Sequence, residues 1–126
     1  MIKSVDMTHT ATILIIDDDQ RNIFALTAVL RSRGFTVQSA SSARDGLHLL
    51  EQNQGIKVVL MDIMMPEMDG YEAISAIRRN ERLKGIKLIA VTAQAMVGDR
   101  EKCLAAGADA YISKPVDIDR LMEILL

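Results

Sequence analysis

Several features common in secreted and membrane proteins are missing from this sequence. A single cysteine, Cys103, excludes an internal disulfide and fits a reducing compartment. The longest apolar stretches, such as residues 12–16, are far too short to span a bilayer. The N-terminal residues 1–6 lack the apolar segment of a signal peptide. By elimination, we expect a cytoplasmic protein with no membrane partner.

The sequence also lacks an excess of charge of either sign. Its 15 lysines and arginines and 17 aspartates and glutamates give a formal net charge of −2, and no block of like charge stands out. A nucleic-acid-binding domain needs a basic surface, so no direct contact with nucleic acid is expected.

The length and composition indicate one globular domain. A chain of 126 residues leaves no room for a second domain of ordinary size. Apolar residues make up 49 % of the chain and charged residues 25 %, which is enough for a hydrophobic core. Residues 1–11 are polar and without pattern, so we predict a flexible N-terminal arm followed by one domain over residues 12–126.

Short apolar runs alternate along the chain with longer stretches of helical spacing. The runs at 12–16, 58–61 and 87–91 are nearly continuous in apolar residues, which is typical of strands covered on both faces of a parallel sheet. Two more strands are predicted at 36–40 and 110–112. Helices are predicted around 23–30 and at 43–52, 71–80, 96–106 and 117–126. Gly34 and Gly107 follow helical stretches, where a left-handed residue often ends a helix.

Five strands alternating with five helices favour an α/β fold with a doubly wound parallel sheet. Among the few topologies that right-handed crossovers allow, we predict the flavodoxin-like strand order 2-1-3-4-5. In such sheets, ligands bind beyond the carboxyl ends of the strands, at the point between strands one and three. The residues that follow those two strands are therefore the first candidates for a functional site.

Carboxylates follow both of these strands. Strand one runs into Asp17, Asp18 and Asp19, and strand three runs into Asp62. Like charges a few ångströms apart repel one another, so such a cluster needs a cation. A few carboxylates with water suit Mg²⁺, and no group of histidines and cysteines points to a softer metal. Asp19 fits a helix cap equally well.

Two further strand ends supply a hydroxyl and an ammonium group. Thr92 ends strand four and Lys114 follows strand five, so the predicted strand order brings both to the same edge. Three carboxylates, one ammonium and one Mg²⁺ sum to zero charge. A phosphoryl dianion approaching Asp62 would then meet a neutral pocket.

Four motifs in order resemble the response regulator receiver (CheY-like) family. They are residues 15–19 (IIDDD), 61–70 (MDIMMPEMDG), 91–93 (VTA) and 114–115 (KP). The resemblance covers residues 12–126. Residues 19–26 and 98–103 are similar to receivers fused to hybrid sensor histidine kinases.

The resemblance implies a role for each matching residue. Asp62 is the expected phosphoacceptor in a phosphorelay, and the peptide bond between Lys114 and Pro115 is expected to be cis. The expected metal ligands are Asp17, Asp18, Asp62 and the backbone carbonyl of Met64, with Mg²⁺ as cofactor and Mn²⁺ as a substitute. The expected phosphoryl-binding and switch residues are Thr92, Ala93, Lys114 and Tyr111. Met64 and Gln94 occupy the places that tune the lifetime of the phosphoryl group.

The resemblance also implies partners. The phosphoryl donor is expected to be a phosphohistidine of a histidine kinase or of a histidine phosphotransfer protein. Arg21, Asn22 and Phe24 at the start of the first helix form the candidate docking surface for the donor. A downstream protein is expected to bind the face made by the fourth helix, the fifth strand and the fifth helix. The domain would catalyse its own phosphorylation and dephosphorylation without being an enzyme for a separate substrate.

Four alternatives remain open at this stage. The chain could be a receiver module excised from a hybrid histidine kinase, or a degenerate receiver that serves only as a scaffold. It could be a phosphohydrolase of the haloacid-dehalogenase type, although Met64 stands where that class needs a second aspartate. It could be a flavodoxin-like electron carrier, although aromatic residues make up only 3 % of the chain.

Overall fold

The computed structural model describes residues 11–65, 70–93 and 98–125. Strands and helices alternate throughout this part of the chain. The strands are β1 (Thr12–Ile16), β2 (Thr36–Ala40), β3 (Ile56–Asp62), β4 (Lys87–Thr92) and β5 (Ala110–Ser113). The α-helices are α1 (Gln20–Ser32), α2 (Ala43–Gln52), α3 (Gly70–Arg79), α4 (Asp99–Ala106) and α5 (Ile118–Leu125), and a 3-10 turn spans Glu81–Leu83. None of the helices described here is both long enough and apolar enough to cross a bilayer.

The five strands form one sheet in the order β2-β1-β3-β4-β5. Every neighbouring pair is parallel. The predicted flavodoxin-like, doubly wound fold is therefore confirmed. Because β1 and β3 are adjacent, their carboxyl ends lie side by side at the centre of one edge of the sheet.

Two hydrophobic layers cover the sheet. Successive residues of a strand point to opposite faces, so Ile13 and Ile15 pack with α1 and α5, whereas Leu14 and Ile16 pack with α2, α3 and α4. All four side chains are buried. Burial of each such side chain contributes about 1.5–3 kcal/mol to the free energy of unfolding, so the central strands are rigidly held.

Some predicted boundaries differ from the observed ones, and two of the differences have a clear local cause. The helix predicted at 96–106 begins at Asp99 within the described residues, because Gly98 has a φ of 91°, which is not helical. The helix predicted at 71–80 ends at Arg79, because Asn80 caps the 3-10 turn and its side chain accepts from the N–H of Arg82 at 2.9 Å. The predicted arm up to residue 10, Gln94, residues 96–97 and Leu126 lie outside the described residues.

The guanidinium of Arg78 joins three segments at the edge of the sheet opposite the carboxyl ends. Its Nε donates to the carbonyl of Gly107 at 2.7 Å, and its Nη1 donates to those of Ile86 and Lys84 at 2.7 and 2.9 Å. Its Nη2 lies 2.7 Å from Oδ2 of Asp109. A planar group with five donors suits such a junction, which lysine could not form.

Helix α3 approaches the end of β3 very closely. A Cβ at Gly70, the first residue of α3, would overlap with Cα of Ile63, which is a backbone atom. We predict that Gly70→Ala lowers the free energy of unfolding by about 1–3 kcal/mol, because the backbone must move to admit the methyl group. Chemical denaturation measures this change.

Gly85 provides the matched control for this substitution. A Cβ at Gly85 would meet no atom within 4 Å. We therefore expect Gly85→Ala to change the free energy of unfolding by less than about 0.5 kcal/mol. Equal losses in the two variants would contradict the close approach of α3 to β3.

Candidate functional site

Three carboxylates from two strand ends meet at the centre of the sheet edge. Asp17 and Asp18 follow β1, and Asp62 is the last residue of β3. One oxygen from each lies within 4.8 Å of the others. Asp17 and Asp62 are only 2 % and 3 % exposed, whereas Asp18 is exposed to solvent.

Backbone hydrogen bonds explain why these carboxylates converge. Ile16 of β1 is paired with Met61 of β3, so the next residue of each strand lies at the same height. The N–H of Asp17 donates to the carbonyl of Ala40 at 3.1 Å, which extends the ladder by one residue beyond β1. The acidic side chains are thus carried by the rigid part of the sheet.

Lys114 brings a positive charge to the same place. Its Nζ lies 3.0 Å from Oδ2 of Asp17 and 3.7 Å from Oδ2 of Asp62. The backbone N–H of Lys114 donates to the carbonyl of Thr92 at 2.7 Å. The peptide bond between Lys114 and Pro115 is cis. The ammonium therefore bridges the two buried carboxylates from the end of β5.

The charges at this edge do not balance. Burial raises the pKa of Asp62 to about 6, and the negative charge of Asp17 also raises it. The hydrogen bond from the N–H of Met64 and the ammonium of Lys114 lower this pKa, but by less. Burial lowers the pKa of Lys114, but the hydrogen bond to Asp17 and the charges of Asp17 and Asp62 raise it by more. The ammonium thus stays charged, yet one ammonium cannot offset three carboxylates.

The donor set fits a hard divalent cation. All three groups offer carboxylate oxygens, the ligand type that Mg²⁺ and Ca²⁺ prefer, and two of them are buried where an uncompensated charge is costly. The N–H of Met64 donates to Oδ1 of Asp62 at 3.0 Å. The metal contact of the Met64 carbonyl stays a prediction.

The structure assigns a hydrogen-bond partner to both Asp19 and Asn22. The side chain of Asp19 caps α1 and accepts from the N–H of Arg21 at 3.0 Å, so the capping alternative is the one the structure supports. Asn22, expected on a docking surface, donates from Nδ2 to Oδ2 of Asp17 at 2.6 Å. No motif in the sequence signals that contact, because it depends on how α1 packs over the end of β1.

The other expected switch residues lie in β4 and β5 or directly after β4. Thr92 is fully buried at the end of β4, and Ala93, the next residue, is exposed. Tyr111 lies in β5 and packs against the layer formed by α2, α3 and α4. Its buried hydroxyl has no hydrogen-bond partner among the described residues.

Two large apolar side chains are exposed near the acidic edge. Phe24 of α1 is 77 % exposed and Met64, two residues after Asp62, is 51 % exposed. Isolated exposed apolar groups are common, but an aromatic ring on the helix that follows the acidic residues is a feature suited to a partner.

Comparisons with known proteins agree with this arrangement. The polar-differentiation response regulator DivK of Brucella ovis is 33 % identical over 116 residues, which span 92 % of this chain and 94 % of that protein. Probable histidine kinase 6 of Oryza sativa subsp. japonica is 34 % identical, and the match covers 88 % of this chain but only 13 % of the rice protein.

Solved structures and a family model point the same way. The receiver domain of sensor histidine kinase PA1611 from Pseudomonas aeruginosa, solved with a magnesium ion coordinated in its active site cleft, superposes with a TM-score of 0.82. It is 36 % identical, and the match covers 91 % of this chain and 93 % of that one. The family model of the response regulator receiver domain matches residues 13–126. The chain therefore belongs to the response regulator receiver domain family.

Proposed function

We propose that this receiver domain accepts a phosphoryl group on Asp62 from a phosphohistidine of a histidine kinase or a histidine phosphotransfer protein. The observation that carries the proposal is the meeting of three carboxylate oxygens within 4.8 Å, with the ammonium of Lys114 beside two of them. Family membership supports it, as do two relatives whose names include a histidine kinase.

Asp17, Asp18, Asp62 and the carbonyl of Met64 would hold Mg²⁺, with Mn²⁺ as a substitute. The receiver domain of PA1611 from Pseudomonas aeruginosa, which has a magnesium ion coordinated in its active site cleft, supports this choice. When bound, the ion supplies positive charge that offsets the carboxylates and the incoming phosphoryl oxygens. The residues of the chain supply the nucleophile and its orientation.

In the proposed transfer, an oxygen of Asp62 attacks phosphorus in line with the bond to the donor imidazole. The P–O bond forms as the P–N bond breaks, and the electron pair of that bond stays on the imidazole nitrogen. Lys114, already 3.7 Å from Asp62, pairs with the phosphoryl oxygens. The hydroxyl of Thr92 and the backbone N–H of Ala93, an exposed residue, are the proposed hydrogen-bond donors.

The acyl phosphate then limits its own lifetime. Water attacks phosphorus, the P–O bond to Asp62 breaks, and inorganic phosphate leaves. Met64 and Gln94 are the residues proposed to tune this step. The domain thus catalyses its own phosphorylation and dephosphorylation and is not an enzyme for a separate substrate, which sets it apart from an aspartyl-phosphate phosphohydrolase.

Phosphorylation is proposed to bias a two-state surface. The new charge and acceptor oxygens at Asp62 attract Thr92, which makes room for Tyr111. The buried hydroxyl of Tyr111, which has no hydrogen-bond partner among the described residues, gains one if the ring moves. The face of α4, β5 and α5 is the proposed site for a downstream protein.

The relatives are consistent with two kinds of protein in which this receiver domain could work. A cytoplasmic regulator that acts by binding partners is one, and DivK is a relative of matching length. A receiver module within a hybrid histidine kinase is the other, and the rice relative supports it. The chemistry at Asp62 is the same in both.

We predict that Asp62→Asn abolishes Mg²⁺-dependent uptake of phosphoryl groups, because the amide is not a nucleophile toward phosphorus. The measurement is transfer of ³²P from acetyl phosphate and from phosphorylated histidine phosphotransfer proteins, with and without Mg²⁺. Circular dichroism checks that the variant stays folded. Stoichiometric labelling of the variant would refute the assignment of Asp62.

The raised pKa of Asp62 predicts how stability depends on pH when no metal is present. An acid whose folded-state pKa is about 6, above its ordinary value of 3.8, favours folding fully below pH 3.8 and loses that contribution as the pH rises through about 6. The difference corresponds to about 3 kcal/mol. In EDTA, we therefore expect wild-type protein to lose stability relative to Asp62→Asn between pH 4 and pH 7.

Asp62→Asn serves as the control because it removes the carboxyl group whose titration is proposed to govern this pH dependence. The variant is expected to be more stable than wild type at pH 7 in EDTA, by up to about 3 kcal/mol. Adding MgCl₂ should stabilise wild type much more than the variant. Parallel stability curves for the two proteins across this pH range would show that Asp62 ionises without penalty.

Phe24 tests the proposed docking surface for the phosphohistidine donor. Truncation of a buried aromatic anchor commonly costs more than 1 kcal/mol of binding free energy, so Phe24→Ala should slow transfer from a histidine phosphotransfer protein by about tenfold. Transfer from acetyl phosphate needs no docking and should not change. The control is Gln52→Ala, because Gln52 is an exposed residue of α2, outside the proposed docking surface. An unchanged rate from the protein donor would place docking elsewhere.

A further inference from the structure

The carboxylate of Asp17 is engaged on both of its oxygens. Oδ2 accepts from Nδ2 of Asn22 at 2.6 Å and lies 3.0 Å from Nζ of Lys114, while Oδ1 accepts from the N–H of Asp19 at 2.8 Å. A carboxylate offers about four lone-pair sites on two oxygens. Among the described residues, these three nitrogen donors occupy three of the four sites, and the site without a nitrogen donor is on Oδ1.

Asn22 is placed for this contact by the start of α1. The side chain of Asp19 caps the helix, which puts Asn22 in the first turn, and its half-buried amide lies over the end of β1. An amide is a neutral donor. It therefore fixes the orientation of Asp17 without offsetting the negative charge that attracts a cation, which a lysine or arginine at this position would do.

We propose that Asn22 is a positioning residue that holds Asp17 in the orientation in which its carboxylate offers an oxygen to the divalent cation. This inference rests on the proposed function, because it assumes that Asp17 is a metal ligand. Partners that orient a ligating carboxylate commonly set metal affinity by factors of 10 to 100.

The hydrogen bond from Asn22 also keeps Asp17 paired when Lys114 moves away. With Asn22 on one lone pair of Oδ2, the ammonium occupies the other and remains 3.7 Å from Asp62. When Lys114 turns toward a phosphoryl group, Asp17 still keeps two donors, Asn22 and the N–H of Asp19. The 2 % exposed carboxylate is therefore not left without partners during transfer.

The first test measures Mg²⁺ affinity without any phosphodonor, by titrating the full chain with MgCl₂ in a calorimeter. Asn22→Leu keeps the size of the side chain but removes the donor, and Asn22→Ala guards against a packing effect of leucine. Both should weaken Mg²⁺ binding about tenfold. Gln20→Leu removes an exposed amide from the same helical turn and should leave the affinity within about twofold of wild type.

The second test asks whether Asn22 acts through Asp17. A double-mutant cycle combines Asn22→Leu with Asp17→Asn and follows urea unfolding in EDTA, where no metal contributes. If the hydrogen bond to Asp17 is the contact that matters, the two substitutions will be clearly non-additive. A residue that only supports α1 would give additive changes.

The outcomes separate this inference from the proposed function. Loss of Mg²⁺ affinity in both Asn22 variants, together with a non-additive cycle, supports it. Unchanged Mg²⁺ affinity or an additive cycle overturns it and leaves Asp62 phosphorylation standing. Failure of wild-type protein to bind Mg²⁺ overturns the metal site of the proposed function and this inference with it.

Discussion

Two buried carboxylates repel each other at the edge of the sheet, and one ammonium holds them together. Asp17 and Asp62 are nearly inaccessible to solvent, and Lys114 lies between them at 3.0 and 3.7 Å. Charges buried in this way are costly unless they are paired. With Asp18 beside them, negative charge remains in excess, and a cation bound there would offset it.

The parallel sheet makes this arrangement possible. Strands β1 and β3 are adjacent although α1, β2 and α2 separate them in sequence, so residues 45 positions apart lie side by side. The strands are buried on both faces and cannot yield to the repulsion at their ends. Lys114 is tied to the same edge through the hydrogen bond between its N–H and the carbonyl of Thr92. Hydrophobic packing of the strands thus holds the repelling carboxylates in place.

Much of this could be predicted from the sequence, and the rest could not for a physical reason. Continuous apolar runs predict buried strands, and the rule that ligands lie beyond strand ends brings Asp17, Asp62 and Lys114 together before any coordinates exist. Contacts that depend on side-chain direction leave no such pattern. The amide of Asn22 turns toward Asp17 because of how α1 packs over the end of β1.

The junction at Arg78 has a mechanical consequence for α4 and β5. Arg78 grips the carbonyl of Gly107, in the short link between these two elements, and also the side chain of Asp109. Both elements are thereby anchored at the end remote from the acidic edge, whereas Asp99 and Ser113 mark their opposite ends. Pairing with β4 holds β5 along its length, so a rigid displacement of α4 is expected to be smallest near Gly107 and largest at Asp99.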